Sequence, residues 1–515
     1  MTPTSSDQRE SQGRPIPYPW LFLGLYFLFC LLTYRDYGIT CDEPAIYGWG
    51  IQYSRYYFLP WLVDNLSAVE DATHNYLYPA FLELFCSGYH YTALHLLNLL
   101  FGSVIFIAVY QVLFAGYQKV FWALTGCVFL FLTPRFLGEL AANPKDTPFA
   151  VLYFAALAGI YLIPRKIKGW GLQSFWIGVL IGLATCVRIM GLTLLPIFAL
   201  YRCAEYFQTA HPAPGKSFRG WLLQQLPQWG LVILFSQLCM RMLWPYLDHD
   251  YFQGMWEIFR QSHDYYWDGI ILFAGKMIHP SARLWTYLPS WFLLTTPLFI
   301  LIGLVFPFFR KKEKAVSSLW NLLFLALSLN LALYLALKPI VYNGLRHYLF
   351  LVPVLSVMAA IGWIEFFRGS FRPAVKKIAV ILLAANVLMT AAQCVRLYPY
   401  DYIYFNEIAG GLPGAYGKYE TDYYGASVKK ASEWLAIEAA KEPNRIFKVK
   451  TWGAGPQSNY YFGPNMRDQG DFQDADYWIA SNQEEEFQMT PDMKKKIVYS
   501  VEREGVPLVY VLKLK

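Results

Sequence analysis

Hydrophobic positions along this chain fall in long uninterrupted runs. Segments 20–34, 170–187, 291–306 and 319–337 approach or reach the roughly 20 residues that a helix needs to cross the hydrocarbon of a bilayer. About eleven such helices are predicted, beginning near residues 18, 92, 120, 147, 171, 188, 221, 287, 316, 348 and 377. Residues 1–394 are therefore expected to form an all-α polytopic membrane body.

The pattern changes after about residue 395. A helix-like run covers 427–441, and strand-like runs cover 446–451, 477–480 and 506–514. This mixture predicts a small α/β domain over residues 395–515.

The positions of the charged residues predict which side of the membrane each loop occupies. Only 15% of the residues are charged, whereas an average soluble domain carries roughly 25%. Lys and Arg near helix ends are held preferentially on the cytoplasmic side. With the amino terminus inside, the basic loops place 36–91, 136–146, 241–286, 338–347 and everything after about 395 outside. The sequence thus predicts a multi-pass protein of the cytoplasmic membrane with an extracytoplasmic C-terminal domain.

The eight cysteines are scattered singly, which indicates neither a disulfide framework nor a CxxC metal site. No glycine-rich phosphate loop follows a strand, so a soluble nucleotide site is not expected.

Adjacent carboxylates, Asp42 and Glu43, follow the first predicted helix by only a few residues. One interpretation is an amino-terminal cap for a following helix, with Pro44 in its first turn. The other is that one carboxylate acts as a general base, since partial burial beside lipid raises its proton affinity. The sequence leaves both open.

Ionisable groups also crowd the short loop 133–148, which contains Arg135, Glu139, Lys145 and Asp146. A loop that only connects two helices needs none of them at the bilayer edge. A cation paired with a carboxylate there can hold an anionic ligand. Surface salt bridges, such as one between Lys145 and Asp146, are the alternative.

Basic residues stand where the charge rule disfavours them, namely at Arg188, Arg241, Lys276 and the pair Arg346-His347. Each alone could extend to lipid headgroups. Together, cations around the outer openings of several helices indicate a phosphate site, because Arg offers paired donors.

The segment 244–268 carries His and Asp residues that resemble metal ligands: Asp248, His249, Asp250, His263, Asp264 and Asp268. Two histidines without a third well-spaced ligand are weak support for a metal. Its many Trp and Tyr residues favour an amphipathic segment at the membrane interface.

Several of these features coincide in one known family. The Asp-Glu pair follows the first helix, Asn-Pro-Lys-Asp occupies 143–146, Arg188 stands at a helix junction, and Gly-Leu-Arg-His occupies 344–347. The combination resembles the GT-C superfamily of polyprenyl-phosphate-sugar glycosyltransferases, especially the branch with protein O-mannosyltransferases and the lipid A aminoarabinose transferase. The stretches 398–411 and 419–425 look like bacterial members of that branch.

The resemblance implies an inverting transfer of a monosaccharide from a polyprenyl-phosphate donor to a glycan, lipid or protein acceptor. By this resemblance Asp42 is the general base, with Glu43 beside it and Asp146 as a supporting carboxylate. The residues expected to bind the departing polyprenyl phosphate and the rest of the donor are Lys145, Arg135, Arg188, Arg346 and His347.

The second outer loop lacks the tandem acidic signature of the metal-dependent oligosaccharyltransferase branch, so no metal or other cofactor is predicted. The candidates for acceptor binding are Tyr404, Asn406, Glu420 and Asp422, with buried tyrosines and capping acids as the alternative. Membrane lipid and the lipid-linked donor are the expected partners, and nucleic acid is not.

Two other function classes remain. A transporter or flippase of a lipid-linked sugar usually carries ionisable groups near the midplane of the membrane, whereas here they gather at one face. A receptor would need an outer domain that binds its partner alone.

Overall fold

The computed structural model describes residues 18–58, 74–208, 217–247, 250–265, 267, 269–309, 314–451, 455–482 and 489–515. Up to residue 397 its helices are α1 (Tyr18–Thr33), α2 (Glu43–Phe58), α3 (Leu77–Glu83), α4 (Tyr91–Tyr117), α5 (Val120–Phe131), α6 (Pro134–Glu139), α7 (Asp146–Lys166), α8 (Trp170–Val187), α9 (Leu194–Gln208), α10 (Phe218–Leu243), α11 (Tyr251–His263), α12 (Tyr287–Thr295), α13 (Leu298–Gly303), α14 (Lys314–Leu337), α15 (Val352–Arg368) and α16 (Pro373–Leu397). Short 3₁₀ helices cover Ile189–Thr193, Pro245–Leu247, Pro280–Ala282, Phe306–Phe309, Arg346–Leu351 and Asp401–Ile403.

Long apolar helices dominate, as predicted. Within the described ranges, eight helices are long and apolar enough to cross a membrane, by length and composition. α1 and α5 are shorter apolar helices, and the helix predicted near 287 is divided into α12 and α13. Every predicted starting point has a helix nearby. The helix predicted near 377 begins at Pro373, and the one predicted near 188 begins as the 3₁₀ helix Ile189–Thr193 and continues as α9 from Leu194. The expected all-α membrane body is confirmed.

The helices differ in how much of their surface is buried, and α15 is the most buried of the long ones. The apolar window of the span that contains α15 is completely buried, whereas only 6% of the corresponding window of α16 is buried. α15 is therefore the central helix, and α16 presents its side chains to the surroundings.

The break between α12 and α13 has a local cause. Pro297 has no backbone N–H, so the carbonyl of Leu293 loses its helical partner. The side chain of Asn406 replaces it, because its Nδ2 donates to Leu293 O at 2.7 Å and to Thr296 O at 2.8 Å. Asn406, predicted to meet the acceptor, is instead occupied by this clamp.

The C-terminal part contains α17 (Gly411–Ala415), α18 (Val428–Ala439), α19 (Gly455–Asn459) and α20 (Pro491–Lys494). After the hairpin of β1 (Ile271–Phe273) and β2 (Lys276–Ile278), which lies before α12, its strands are β3 (Phe447–Thr451), β4 (Met466–Asp468), β5 (Tyr477–Ser481), β6 (Ile497–Arg503) and β7 (Val506–Lys513). They form one sheet in the order β4-β3-β5-β7-β6.

This sheet is mixed. β3 runs parallel to β4 and β5, and β7 runs antiparallel to β5 and β6. The predicted α/β character is confirmed, with three of its strands where the sequence placed them. β1, β2 and β4 have only three residues each, too few for an alternating pattern to predict them.

The segment 398–426 joins α16 to this sheet and packs against the helix bundle. α16 ends at Leu397, next to the predicted domain boundary after residue 394. One close approach is at Gly138 of α6, where an added Cβ would lie 2.3 Å from Tyr402 N and 2.9 Å from Asp401 C. A side chain at this position would therefore force the two backbones apart.

Replacing Gly138 by Ala is expected to destabilise the protein by roughly 1–3 kcal/mol, the usual range for overpacking, because backbone atoms cannot rotate away. The measurement is the thermal unfolding midpoint of purified full-length protein. Gly171→Ala in α8 is the control, since a Cβ there has nothing within 4 Å. An unchanged midpoint for Gly138→Ala would contradict the close packing of the segment.

Candidate functional site

A cavity of about 780 Å³ lies where the ends of several long helices meet the C-terminal part. Its wall is built from the loop before α2, the start of α7, the end of α8 and the 3₁₀ helix before α15. The C-terminal part closes it with residues of 422–425, α19 and β5. The sequence-predicted residues on this wall are Asp42, Lys145, Arg188, Arg346, His347 and Asp422.

The Asp42-Glu43 pair is divided between the cavity and the interior. Asp42 lines the cavity, with 33% of its side chain exposed, and its Oδ2 lies 2.8 Å from Arg346 Nη1. Glu43 is buried: its Oε2 accepts from Thr40 N at 2.7 Å, and its Oε1 lies 2.8 Å from His95 Nε2. A Glu carboxylate that accepts from the amide of a Thr three residues earlier forms one of the two bonds of a capping box. Glu43 is thus placed as the cap of this turn, away from the described cavity wall, and its catalytic role stays a prediction.

Asp146 is the ion-pair partner of two arginines. Its Oδ1 pairs with Arg188 Nη2, and its Oδ2 lies 3.8 Å from Arg346 Nε. Asp146 is buried and lies behind the residues that line the cavity. Because an unpaired buried charge is strongly unfavourable, these pairs fix both guanidiniums relative to the start of α7.

A hydrogen-bond network connects Asp146 to the C-terminal part. Asn143 Nδ2 lies 3.1 Å from Asp146 Oδ2 and 2.7 Å from Glu139 Oε2. The hydroxyls of Tyr423 and Tyr424 each donate to Glu139 at 2.8 Å. Burial raises the pKa of Glu139 to about 6, and these hydrogen bonds oppose the rise. The orientation of Asp146 thus depends on residues far along the chain.

Basic residues line the cavity. Lys145, Arg188, Arg346 and His347 all line it. The Nε atoms of Arg188 and Arg346 have no hydrogen-bond partner among the described residues, since 3.8 Å to Asp146 is too long for one. Guanidiniums held in place with unused N–H donors can bind the oxygens of an anion.

Arg135 does not belong to this group. It is 1% exposed, and its guanidinium lies against the rings of Trp291 and Phe405, at 4.8 and 4.9 Å from their centroids. Its Nε donates to the carbonyl of Tyr404 at 3.0 Å. Arg135, expected among the substrate-binding residues, thus lies away from the described cavity wall and joins α6 to the segment after α16.

Of the four residues predicted to meet the acceptor, Asp422 is on the described cavity wall and the others lie behind it. Tyr404 is buried beside Arg135, and Asn406 forms the clamp described above. Glu420 is buried as well, and its Oε2 accepts from Tyr287 OH at 3.4 Å. Burial raises the pKa of Glu420 to about 8.

The other predicted groups lie apart from the cavity. Arg241 and Lys276 are exposed and absent from its described wall. α11 exposes the apolar residues Phe252, Trp256 and Phe259, as an interfacial helix does. Asp248, His249 and Asp268 lie outside the described residues. Within the part that the structure describes, no three His, Cys, Asp or Glu residues are grouped to hold a metal.

The cavity wall also contains Trp267 from the aromatic segment 244–268, and five residues that the sequence did not single out, namely Trp49, Tyr76, Tyr342, Gln457 and Ser481. The rings of Trp267 and Tyr342 stack at 4.4 Å and 3°. Aromatic residues make up 18% of the chain, so an aromatic position by itself could not identify them.

No protein-family model and no curated protein matches the sequence. Solved structures match the fold. ArnT from Cupriavidus metallidurans bound to undecaprenyl phosphate is 12% identical, with 96% of this chain and 98% of that chain covered at a TM-score of 0.52. Its apo state gives 11% identity, the same coverage of both chains and a TM-score of 0.51. The expected fold, a helical membrane body with a C-terminal α/β domain, is confirmed by this similarity to ArnT.

An oligosaccharyltransferase of Archaeoglobus fulgidus tethered with an acceptor peptide is 14% identical. It matches 78% of this chain and 56% of that chain at a TM-score of 0.37, so the fold comparison rests on ArnT.

Replacing Glu420 by Gln should make stability less dependent on pH. The folded protein holds this proton more tightly than the unfolded chain, since the pKa rises from 4.5 to about 8. The carboxyl therefore stabilises the fold less as pH increases through that window. We expect the unfolding midpoint of Glu420→Gln to fall less than that of the wild type between these pH values. The exposed Glu407→Gln should follow the wild type, and parallel curves for Glu420→Gln would contradict the assignment.

Proposed function

We propose that this protein is a membrane glycosyltransferase. It transfers a monosaccharide from a polyprenyl-phosphate-linked donor to an acceptor at the outer face of the cytoplasmic membrane. The observation that carries the proposal is a single cavity at the helix ends that has Asp42 on its wall together with Lys145, Arg188 and Arg346. Support comes from the fold, which is shared with a protein whose structure contains undecaprenyl phosphate.

The cations fit the chemistry of the leaving group. When the bond from the anomeric carbon to the phosphate oxygen breaks, the phosphodiester becomes a monoester with one more negative charge. Positive groups held in place before the reaction stabilise that charge without reorganising. Asp146 holds Arg188 and Arg346 in this way, and Lys145 stands beside it at the start of α7.

Asp42 fits the role of general base. It combines a position on the wall with a partly exposed carboxylate, whereas Asp146 and Asp422 are almost fully buried. It takes the proton of the attacking group while that group bonds to the anomeric carbon, and the phosphate leaves from the opposite face. The configuration at that carbon is inverted as a result. Arg346, 2.8 Å away, orients the carboxylate.

The side of the membrane follows from the basic loops. The cavity residues lie at helix ends that the charge rule places outside, opposite the loops with Arg165, Lys166 and Arg368. A donor held there would keep its polyprenyl chain in the bilayer.

Replacing Asp42 by Asn is expected to reduce sugar transfer by about 100-fold or more, since general base catalysis commonly contributes that much. The assay follows transfer from polyprenyl-phosphate sugars by the purified protein. Binding of undecaprenyl phosphate should persist.

The matched control is Asp36→Asn, which removes a carboxylate of the same loop that bonds Tyr398 and lies outside the cavity wall. It should keep most of the activity. Undiminished turnover of Asp42→Asn would remove Asp42 from its role. Movement of a labelled lipid between leaflets without any sugar transfer would instead favour a flippase.

Replacing Lys145 by Ala should weaken binding of undecaprenyl phosphate on the order of tenfold, the usual effect of losing a hydrogen bond to a charged group. The measurement is an equilibrium titration of protein in lipid nanodiscs. Lys166→Ala, at the other end of α7 and bonded to Gln111 at 3.1 Å, is the control and should leave binding unchanged. Equal affinity for both variants would place the phosphate elsewhere.

A further inference from the structure

The two sides of the cavity differ in charge. The helix bundle supplies Lys145, Arg188 and Arg346. The C-terminal part supplies a side, here called the C-terminal wall, made of Asp422, Tyr423, Tyr424, Gly425, Gln457 and Ser481 with two apolar neighbours. In its described residues the C-terminal wall has no Lys or Arg. Only the bundle side is suited to a phosphate.

Gln457 is the polar group of the C-terminal wall with an unused atom. The residue is 2% exposed, and its Oε1 has no hydrogen-bond partner among the described residues. Buried polar atoms are nearly always paired, and an unpaired one is costly. A ligand that donates a hydrogen bond would remove that cost.

The neighbouring backbone decides which end of the Gln457 amide is unused. Nε2 lies 3.4 Å from the carbonyl oxygen of Gly425, which can only accept a hydrogen bond. Gly425 has φ +65°, and a Cβ there would lie 2.8 Å from Nε2. Glycine at this position therefore permits the contact, and the contact leaves Oε1 as an acceptor.

Asp422 also gives the C-terminal wall oxygen atoms that accept hydrogen bonds. The carboxylate of Asp422 accepts from Ser427 N at 3.3 Å and from the hydroxyls of Ser427 and Tyr402. It is a negative group already surrounded by hydroxyl donors. Arg346 approaches this wall, at 5.5 Å from the ring centroid of Tyr424, but it lies 2.8 Å from the carboxylate of Asp42. A phosphate beside Asp422 would therefore meet the repulsion of its carboxylate, whereas a neutral hydroxyl would meet acceptor oxygens.

Aromatic rings complete the surroundings. Trp267 and Tyr342 stack on each other at the cavity, and Trp49 lies 6.1 Å from Tyr76 in a second stacked pair. Aromatic side chains offer a large apolar face beside polar groups. The C–H faces of a sugar ring pack well on such surfaces.

We propose that the C-terminal wall is the acceptor subsite and that it takes a neutral saccharide, with Gln457 Oε1 accepting from one of its hydroxyls. This rests on the proposed glycosyltransferase function. A second hydroxyl oxygen of the acceptor forms the new bond to the anomeric carbon, and its proton passes to Asp42. The bond to the phosphate oxygen breaks, and its electron pair leaves with the polyprenyl phosphate.

The test compares matched ligands on the full-length protein in lipid nanodiscs. Methyl glucoside, methyl mannoside and methyl galactoside are each compared with the corresponding 6-phosphate by saturation-transfer NMR titration, in the presence of undecaprenyl phosphate. At least one neutral glycoside should bind about tenfold or more tightly than its phosphate, as expected where a charge lacks a partner. A phosphate that binds as tightly as its neutral counterpart, or no binding by any neutral glycoside, would overturn the proposal.

Gln457→Ala should weaken the neutral glycoside about tenfold and leave the affinity for undecaprenyl phosphate unchanged. Gln473→Ala, an exposed amide of the same domain, is the control and should change neither. The unfolding midpoint of each variant shows that it is folded. If undecaprenyl phosphate fails to bind while the Gln457 effect on glycosides persists, the donor assignment fails and the subsite stands. Unchanged glycoside binding in Gln457→Ala would overturn the role of Gln457.

Discussion

The cavity depends on the pairing of one buried carboxylate with two guanidiniums. Asp146 at the start of α7 pairs with Arg188 at the end of α8 and approaches Arg346 before α15. None of these charges can be buried alone without a large cost, so the three helix ends are fixed by one electrostatic requirement. The same requirement keeps positive charge concentrated beside the cavity. The same ion pairs therefore stabilise the fold and hold positive charge at the cavity.

Two adjacent acids of the loop before α2 lie in different surroundings. Glu43 and Asp42 are neighbours, yet Glu43 is enclosed by Thr40 and His95 while Asp42 lines the cavity. The hydrogen bonds of Glu43 to Thr40 and His95 fix the backbone before α2. With the backbone fixed in this way, the side chain of Asp42 lines the cavity. A buried acid therefore controls the position of a partly exposed one.

Most of the fold could be predicted from the sequence because long apolar runs and basic loops are local properties. The gathering of Asp42, Lys145, Arg188 and Arg346 could be predicted for the same reason, since each stands at a helix end on one side. Their roles stay predictions.

The positions of other side chains depend on residues far away in the sequence, so a local pattern cannot predict them. Arg135 needs Trp291 and Phe405 to be buried, and Asn406 needs the break at Pro297. The sequence does not distinguish Gln457 from other polar residues, because its amide is oriented by a contact with Gly425. Such contacts exist only in three dimensions.

The bonds from Tyr423 and Tyr424 to Glu139 set an order of assembly. Both tyrosines are synthesised after α16, the last long helix, so a nascent chain that has inserted every long helix still has a buried Glu139 without these donors. Asn143 and Asp146 cannot settle until the segment after α16 folds back onto the bundle. The cavity end of the protein is thus completed last, and a ribosome-bound intermediate would contain all the long helices and no finished cavity.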